Sequence, residues 1–155
     1  MKKIRKMPKV RITKQFTFET AHALYGYDGK CKHIHGHSYK LDVCVTGSPS
    51  IDKNDVKYGM LIDLGDLKNI VKKKVVDPMD HAIILNENTP HKELGTTLQQ
   101  SGHDVVFVNY QPTIEMMIDD FAHCIKQELP KSVDLYSLKL RETGTGFAEW
   151  FAADQ

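Results

Sequence analysis

The sequence predicts an α+β protein, in which an antiparallel sheet is covered by helices on one face. Two observations lead to this class. Stretches that alternate between apolar and polar residues occur near both ends of the chain, and two stretches with helical spacing lie between them. Because the strands come in consecutive runs, they favour hairpins over a parallel sheet. The 155 residues, of which 41% are hydrophobic, fit one domain (residues 1–155) with its own core.

Five segments have the pattern of β-strands. Segments 9–23 and 35–47 alternate, with apolar residues mostly at even positions in the first and at odd positions in the second. Shorter strands are predicted near 57–62, over 134–142 and over 146–151. The alternation indicates that each long strand buries one face and exposes the other.

Two helices are predicted from apolar residues that recur at spacings of three and four. The first covers 64–76, where Asp63 occupies the N-cap position and Pro78 is expected to stop the helix. The second is expected to open at Pro112 and to end at Pro130. Each helix has one apolar face, which predicts packing against the sheet.

Composition and charge exclude several classes of protein. The formal net charge is +1, so bulk electrostatics indicate neither a nucleic-acid nor a membrane partner. No apolar run reaches membrane-spanning length, and the basic start, "MKKIRKMPKV", lacks the apolar region of a signal peptide. The three cysteines, Cys31, Cys44 and Cys124, are odd in number and widely spaced, unlike a disulfide framework. We therefore expect a cytoplasmic protein.

The segment "CKHIHGH", residues 31–37, concentrates residues that bind metals. His35 and His37 continue the parity of the apolar positions that follow them, and His22 continues that of the first strand. If the two strands are antiparallel neighbours, three imidazoles converge on the core side, where a shared cation relieves the cost of burying them. Three nitrogen donors with an open fourth position are typical of catalytic zinc.

Two alternatives remain open from the residues alone. Cys31 is close enough in sequence to be a fourth ligand, which would make the site structural. The alternation of residues does not exclude His33 as a metal ligand, because His33 is expected in a loop, where side chains do not alternate between two faces. A cupin-type site also uses His-x-His on a strand but needs a glutamate a few residues on, whereas the nearest acid, Asp42, lies on the opposite face.

Further candidates come from other parts of the chain. Cys31 lies in a glycine-bearing loop among basic and imidazole groups, and such surroundings favour the reactive thiolate. Asp80 directly precedes His81, and a neighbouring carboxylate can orient an imidazole for proton transfer. Glu142 continues an apolar strand face, so it must be paired or hold a ligand such as a guanine-like or pterin ring. Glu115 is a weaker candidate, because acids favour the first helical turn.

These pieces together resemble one family. The sequence is similar to the 6-pyruvoyl-tetrahydropterin synthase and 6-carboxytetrahydropterin synthase family in six segments, in the family's order. They are "TAH" at 20–22, "CKHIHGHSYKL" at 31–41, "GMLIDLGDLK" at 59–68, "MDHAIILNE" at 79–87, "PTIE" at 112–115 and "ETGTGFAEW" at 142–150.

The resemblance implies a fold and an assembly. It implies the tunnelling fold, a four-stranded antiparallel sheet with two helices on one face. Three subunits would close a barrel, and two trimers would form a homo-hexamer. It also implies zinc on His22, His35 and His37.

The resemblance also implies the roles of the other candidates. Cys31 would be the catalytic base rather than a ligand, with Asp80 and His81 as its proton relay, supplied in this family across a subunit interface. Glu142 would anchor the pterin. His33 receives no role.

The spacing within "CKHIHGH" indicates a subgroup. Three residues separate the cysteine from His-Gly-His, as in the bacterial queuosine-pathway enzymes. We therefore expect a zinc-dependent lyase that converts 7,8-dihydroneopterin triphosphate to 6-carboxytetrahydropterin, acetaldehyde and triphosphate. The alternatives are 6-pyruvoyl-tetrahydropterin as product, or a non-catalytic metal- or pterin-binding module. One departure is the region 82–111, which is predicted to be rich in loops around one short strand, "VVFV", and is longer than usual.

Overall fold

The computed structural model describes residues 7–155. Its elements in chain order are β1 (Val10–His22), β2 (His35–Gly47), α1 (Leu64–Val71), α2 (Asp77–Met79), β3 (Ala82–Asn86), α3 (His91–Gln100), β4 (Val105–Val108), α4 (Ile114–Glu128), β5 (Asp134–Arg141) and β6 (Phe147–Phe151). Short 3₁₀ turns cover Lys30–Lys32 and Ala152–Asp154. In this part of the chain, no helix has the length and apolar character that crossing a bilayer requires.

The strands form one mixed sheet of six strands in the order β4-β3-β1-β2-β5-β6. The pairs β1–β2, β2–β5 and β5–β6 are antiparallel, whereas β3 runs parallel to both β1 and β4. The α+β class is confirmed, but the prediction of a four-stranded antiparallel sheet is wrong, because β3 and β4 extend the sheet. The strand predicted near 57–62 is also wrong. These residues form turns, and Gly59, with φ of 82°, adopts a backbone conformation that side chains disfavour.

The hairpin of β1 and β2 confirms the parity prediction. Its register pairs His22 with His35 and Thr20 with His37. Because directly paired residues of antiparallel strands point to the same face, the three histidines lie together at one end of the hairpin. They share this face with Phe18, which is buried, so the face is the one that carries the core.

The main core lies between the sheet and the helices α1 and α4. Leu67 of α1 and Phe121 of α4 are buried against Phe18, Tyr39 and Leu41 of the hairpin. The ring of Phe18 stacks on that of Tyr39 with centroids 5.4 Å apart, and Phe121 meets Phe18 edge-on at 6.1 Å. This aromatic group adjoins the histidines, because the ring of Tyr39 lies 6.3 Å from that of His22 and 5.5 Å from that of His37.

The helix α3 packs on the opposite face of the sheet. Alternate residues of β3 show this, because Ile84 belongs to the main core whereas Ile83 and Leu85 pack against Leu94 and Leu98 of α3. The prediction of helices on one face holds for α1 and α4 and is wrong for α3. Since both faces of β3 are covered, its residues form an unbroken apolar run, "AIIL", instead of alternating.

The first predicted helix begins as expected and extends further than expected. The carboxylate of Asp63 caps α1 by accepting a hydrogen bond of 2.7 Å from the backbone N–H of Gly65. Pro78 does not stop the helix, which continues through a π-helical turn, Lys72–Val76, into α2. A widened turn of this kind accommodates a proline, whose ring and missing N–H are incompatible with the regular i→i−4 ladder.

The second predicted helix is α4, and its boundaries are close to those expected. It begins two residues after Pro112, with Thr113 as the N-cap, and its last residue lies two positions before Pro130. Its N-terminus adjoins the histidines, because the backbone carbonyl of Pro112 contacts His22. The start of α4 therefore forms one wall of the site.

Candidate functional site

The imidazoles of His22, His35 and His37 form a compact cluster at the end of the β1–β2 hairpin. Each offers one nitrogen, and these nitrogens all lie within 4.8 Å of one another. His22 is 2% exposed, and the other two are half-buried. The ring centroids are 4.5 Å apart for His22 and His35, 5.2 Å for His22 and His37, and 5.0 Å for His35 and His37. This arrangement is able to hold a metal ion.

Hydrogen bonds fix which nitrogen of each ring faces the centre. Nδ1 of His22 lies 2.7 Å from the carbonyl oxygen of Pro112, and Nδ1 of His35 lies 2.7 Å from that of His33. A carbonyl oxygen only accepts, so both Nδ1 atoms carry the proton and both Nε2 atoms present a lone pair. These two Nε2 atoms are 3.0 Å apart, and Nε2 of His37 is buried without a hydrogen-bond partner within residues 7–155. The facing lone pairs of His22 and His35 and the unpartnered Nε2 of His37 are unfavourable unless a cation binds them.

Burial favours the neutral form of two of the three imidazoles, because it lowers the pKa of His22 and of His37. It lowers the pKa of His22, although the hydrogen bond to Pro112 and the charge of Glu142 partly offset the effect. Burial also lowers the pKa of His37, against the opposing influence of Glu142. Because a metal ion binds neutral imidazole, both shifts favour the state that binds metal.

Glu142 lies beside the histidines. Its Oε1 is 3.6 Å from Nε2 of His22 and 3.7 Å from Nε2 of His37, and the hydroxyl of Tyr39 donates a 2.9 Å hydrogen bond to the same oxygen. Burial and the nearby carboxylate raise the pKa of Tyr39 far above its ordinary value, so the hydroxyl remains a donor. The acid that continues the apolar face of β5 is therefore partnered, as its position required.

A cavity of about 390 Å³ joins these groups to Cys31. Its lining includes Cys31, His22 and Glu142, together with Glu115 at the start of α4. Cys31 lies on the 3₁₀ turn between the long strands, where its carbonyl accepts a 3.0 Å hydrogen bond from the N–H of Leu24. A thiol, two carboxylates and one imidazole of the histidine cluster therefore face one space of ligand size.

Asp80 and His81 form the predicted pair but line a different cavity. Oδ2 of Asp80 is 3.1 Å from Nδ1 of His81, and Oδ1 accepts a 2.8 Å hydrogen bond from the N–H of Glu19. That backbone bond, followed by the contact with His81, lowers the pKa of Asp80. His81 has φ of 63°, which is uncommon outside glycine, and its side chain is 77% exposed.

The cavity beside His81 has a volume of about 480 Å³ and shares no lining residue with the cavity of Cys31. It is lined by residues from both faces of β1 and β2 at this end of the sheet, among them His37 of the cluster, by Leu98 of α3 and by His103 and Asp104. Within one chain, Asp80 and His81 therefore do not line the cavity of Cys31.

The other ligand candidates lie outside the cluster. Within residues 7–155, the group of nearby metal-binding side chains consists of His22, His35 and His37, without Cys31 or His33. His33 is exposed and contributes its carbonyl oxygen to His35 rather than an imidazole. The local cluster of one cysteine and three histidines therefore does not form in this structure.

Sequence reasoning missed two residues that line the cavity of Cys31, Tyr27 and Gln111. The side-chain amide of Gln111 donates a 2.9 Å hydrogen bond to the carbonyl of Tyr25, which ties the Cys31 loop to the chain before α4. Neither residue carried a signal, because a glutamine and a tyrosine in loops are ordinary surface residues. Their proximity depends on a contact 86 positions apart in the chain.

Comparisons with known proteins agree with this arrangement. Residues 11–152 match the sequence family described as 6-pyruvoyl tetrahydropterin synthase. A Haemophilus influenzae protein named 6-carboxy-5,6,7,8-tetrahydropterin synthase is 38% identical over 90% of this chain and 97% of its own. A Dictyostelium discoideum protein named 6-pyruvoyl tetrahydrobiopterin synthase is 33% identical over 58% of this chain and 70% of its own.

A solved structure supports the fold independently. The Caenorhabditis elegans 6-pyruvoyl tetrahydropterin synthase superposes with a TM-score of 0.67 at 23% identity, covering 96% of this chain and 99% of the other. The match of nearly the whole sequence is what decides the family, and the shared fold agrees with it. The chain belongs to the 6-pyruvoyl tetrahydropterin synthase family.

Proposed function

We propose that this protein is a zinc-dependent 6-carboxy-5,6,7,8-tetrahydropterin synthase. It converts 7,8-dihydroneopterin triphosphate and one water molecule to 6-carboxy-5,6,7,8-tetrahydropterin, acetaldehyde and triphosphate. The single observation that carries the proposal is the cavity of about 390 Å³, in which Cys31 and Glu142 face the metal-binding His22. The similarity to the H. influenzae synthase over most of both chains favours the carboxy product over the pyruvoyl product.

His22, His35 and His37 would hold the zinc ion through Nε2. Nitrogen ligands also suit other divalent metals, and zinc is chosen because three imidazoles with an open position are its usual catalytic set. When bound there, zinc supplies a Lewis acid that polarises the hydroxyl groups of the substrate side chain.

Cys31 and Glu142 divide the work in the cavity. Cys31 removes a proton from the substrate side chain, because it is the thiol that lines the cavity beside the metal-binding imidazoles. Glu142 accepts hydrogen bonds from adjacent N–H and NH₂ groups of the pterin ring, which fixes the ring relative to Cys31. Glu115 lines the same cavity and contributes a second carboxylate beside the start of α4.

Asp80 and His81 complete the site from a neighbouring subunit. Their cavity is separate from that of Cys31 in one chain, and the ring of His81 is exposed. A ring of three subunits that closes a barrel would bring His81 of one chain to Cys31 of the next, and two such rings would form the hexamer. The pair then passes the proton to and from Cys31.

The product and the setting follow from the same assignment. A 6-carboxytetrahydropterin is the precursor that queuosine biosynthesis requires, so we place the protein in that pathway. The three cysteines of the described chain are unpaired, in agreement with a reducing cytoplasm.

One experiment tests the proposal. Purified protein loaded with zinc is incubated with 7,8-dihydroneopterin triphosphate, and the products are identified by mass. We expect the carboxy product with equimolar acetaldehyde. Formation of 6-pyruvoyl-tetrahydropterin would identify the other activity of the family, and stoichiometric pterin binding without turnover would identify a binding module.

A further inference from the structure

The carboxylate of Glu142 has two competing partners. It faces the cavity that takes the substrate, and its Oε1 also lies 3.6 Å and 3.7 Å from Nε2 of His22 and His37. Two ligands bound tetrahedrally at about 2.0–2.1 Å from one zinc ion are themselves about 3.4 Å apart. The two distances from Oε1 to the imidazole nitrogens therefore exceed this ligand-to-ligand distance by only a few tenths of an ångström. A divalent cation at the cluster would attract this oxygen strongly.

Tyr39 is the residue that opposes this attraction. Its hydroxyl donates to Oε1, the oxygen nearest the imidazoles, at 2.9 Å. Its ring is completely buried, stacked on Phe18 and crossed by the rings of His22 and His37 at 6.3 Å and 5.5 Å. A ring held on several sides cannot follow the carboxylate, so the hydroxyl is a fixed point of attachment.

We propose that Tyr39 is a positioning residue that holds Glu142 as the ligand-recognition carboxylate of the cavity and keeps it from becoming a fourth metal ligand. The role given to Glu142 rests on the proposed function. The restraint on its carboxylate rests on the contacts of Tyr39 alone. With Oε1 held, the second oxygen has no protein hydrogen bond within residues 7–155 and is available to a ring N–H group.

The test uses Tyr39→Phe, which keeps the ring and its packing and removes only the hydroxyl. Tyr110→Phe is the matched control, because Tyr110 also donates from a partly buried hydroxyl to a carboxylate, Asp120, at 2.7 Å, outside the metal cluster. Both variants lose one hydrogen bond of the same kind, so a purely structural effect would appear in both. Thermal unfolding is measured for each.

The first readout is the visible spectrum of the Co²⁺-substituted protein, which responds to the ligand set of the metal. We expect Tyr39→Phe to change the spectrum as Glu142 binds the metal, and Tyr110→Phe to leave it unchanged. Adding Glu142→Gln to Tyr39→Phe should restore the spectrum of Glu142→Gln alone. An unchanged spectrum in Tyr39→Phe, or a change that persists in the double variant, overturns the proposal.

The second readout is the affinity for 7,8-dihydroneopterin, which lacks the triphosphate. We expect Tyr39→Phe to bind it about ten- to a hundredfold more weakly, the usual range for a lost hydrogen bond to a charged group. The loss should be larger with metal than without, because the metal draws Glu142 away. Equal losses in both forms contradict the competition between metal and ligand.

The outcomes separate this proposal from the proposed function. If unmodified protein makes no product but Tyr39→Phe alters the cobalt spectrum through Glu142, the function fails and the restraint stands. If unmodified protein makes the product and Tyr39→Phe changes neither readout, the function stands and Tyr39 only packs. Tyr39→Phe could also melt at a much lower temperature than Tyr110→Phe. In that case, a change in the cobalt spectrum that disappears when Glu142→Gln is added supports the restraint. A change that persists in the double variant refutes it.

Discussion

The β1–β2 hairpin and the α3–β4 unit belong to the same sheet, with β4 at its edge and α3 on the face opposite the main core, and they differ in how their positions are determined. The hairpin places His22, His35 and His37 on the face of the main core, in a register of 13 residue pairs. The α3–β4 unit covers the other face through a small cluster around Ile83 and Leu85. The metal-binding face is thus specified by long-range pairing of a regular pattern. The position of the face beside His81 depends instead on the packing of the short α3–β4 unit.

This difference teaches where each part of the chemistry lies. The three candidate metal ligands come from one hairpin, so the proposed metal site is complete within one chain. The proposed proton transfer is divided between chains, because Cys31 and His81 line separate cavities. Substitutions on the two faces should therefore fail in different ways, and the predictions below are arranged from the largest expected effect to the smallest.

The largest effect is expected at the cluster itself. His22→Ala, His35→Ala and His37→Ala should each abolish stoichiometric zinc and turnover, because two imidazoles bind zinc poorly. His33→Ala is the control and should keep its zinc, since His33 contributes only a carbonyl oxygen. Metal analysis after gel filtration measures both. Loss of zinc in His33→Ala with retention in His22→Ala would instead support a local site with Cys31.

The next effect separates chemistry from metal binding. Cys31→Ala should lower turnover by about 10²–10⁴, the usual contribution of a proton-transfer residue, and retain its zinc. Cys124→Ala is the control, because burial raises the pKa of Cys124 and its neighbour is Asp120 on the same helix. The two rates and the metal content are compared. If Cys31→Ala lost zinc, the thiol would be a ligand and the site structural.

A third prediction concerns the recovery of activity in oligomers that contain two different inactive variants. Cys31→Ala and His81→Ala should each be inactive, but mixing them under conditions that exchange subunits should restore activity at about a quarter of the sites. If Cys31 and His81 of one site come from neighbouring chains, random pairing gives about a quarter of the sites an intact Cys31 from one chain and an intact His81 from the other. Activity against mixing ratio is the measurement, with each variant alone as the baseline. An absence of recovery, with exchange demonstrated, would place the pair outside the site of Cys31.

Much of the metal-binding face could be predicted from the sequence, because alternation with a period of two assigns a face to every residue of a long strand. His22, His35 and His37 were found in this way, and Asp63 was recognised as the cap of α1 from residue type and position. Glu142 was singled out as an acid on an apolar face, and it lies beside the cluster. Each of these depends on local pattern and one pairing of neighbouring strands.

The strand β4 was predicted from "VVFV" and covers Val105–Val108 as expected. The prediction that the rest of the region 82–111 is rich in loops is wrong, because β3 and α3 form there. The segment of α3 presents only Leu94 and Leu98 to its small cluster, and it contains Gly95, which lowers helix propensity. The run "AIIL" of β3 does not alternate, because both of its faces are covered. Parallel pairing of β3 with β1 joins segments about 60 positions apart, and no periodicity within either segment reveals it.

The smallest effect should arise at Gly95, where α3 approaches the sheet. A side chain there would collide with the ring of Phe107 and crowd Val105. Gly95→Leu gains about 1 kcal/mol of helix propensity. The overpacking costs about 1–3 kcal/mol, and a leucine lies at the upper end of that range. We therefore expect a net loss of stability of about 1–2 kcal/mol with zinc content unchanged.

The control for Gly95→Leu is Gln99→Leu, on the exposed side of the same helix, which should leave the unfolding midpoint nearly unchanged. Denaturant unfolding and metal analysis of both variants provide the comparison. Because α3 packs against Ile83 and Leu85 of β3, whereas the histidines are positioned by the pairing of β1 with β2, loosening α3 should leave the zinc content unchanged. Loss of zinc in Gly95→Leu at full folding would show that the α3–β4 unit also positions the metal ligands. In that case the division of the chemistry between the two faces would be wrong.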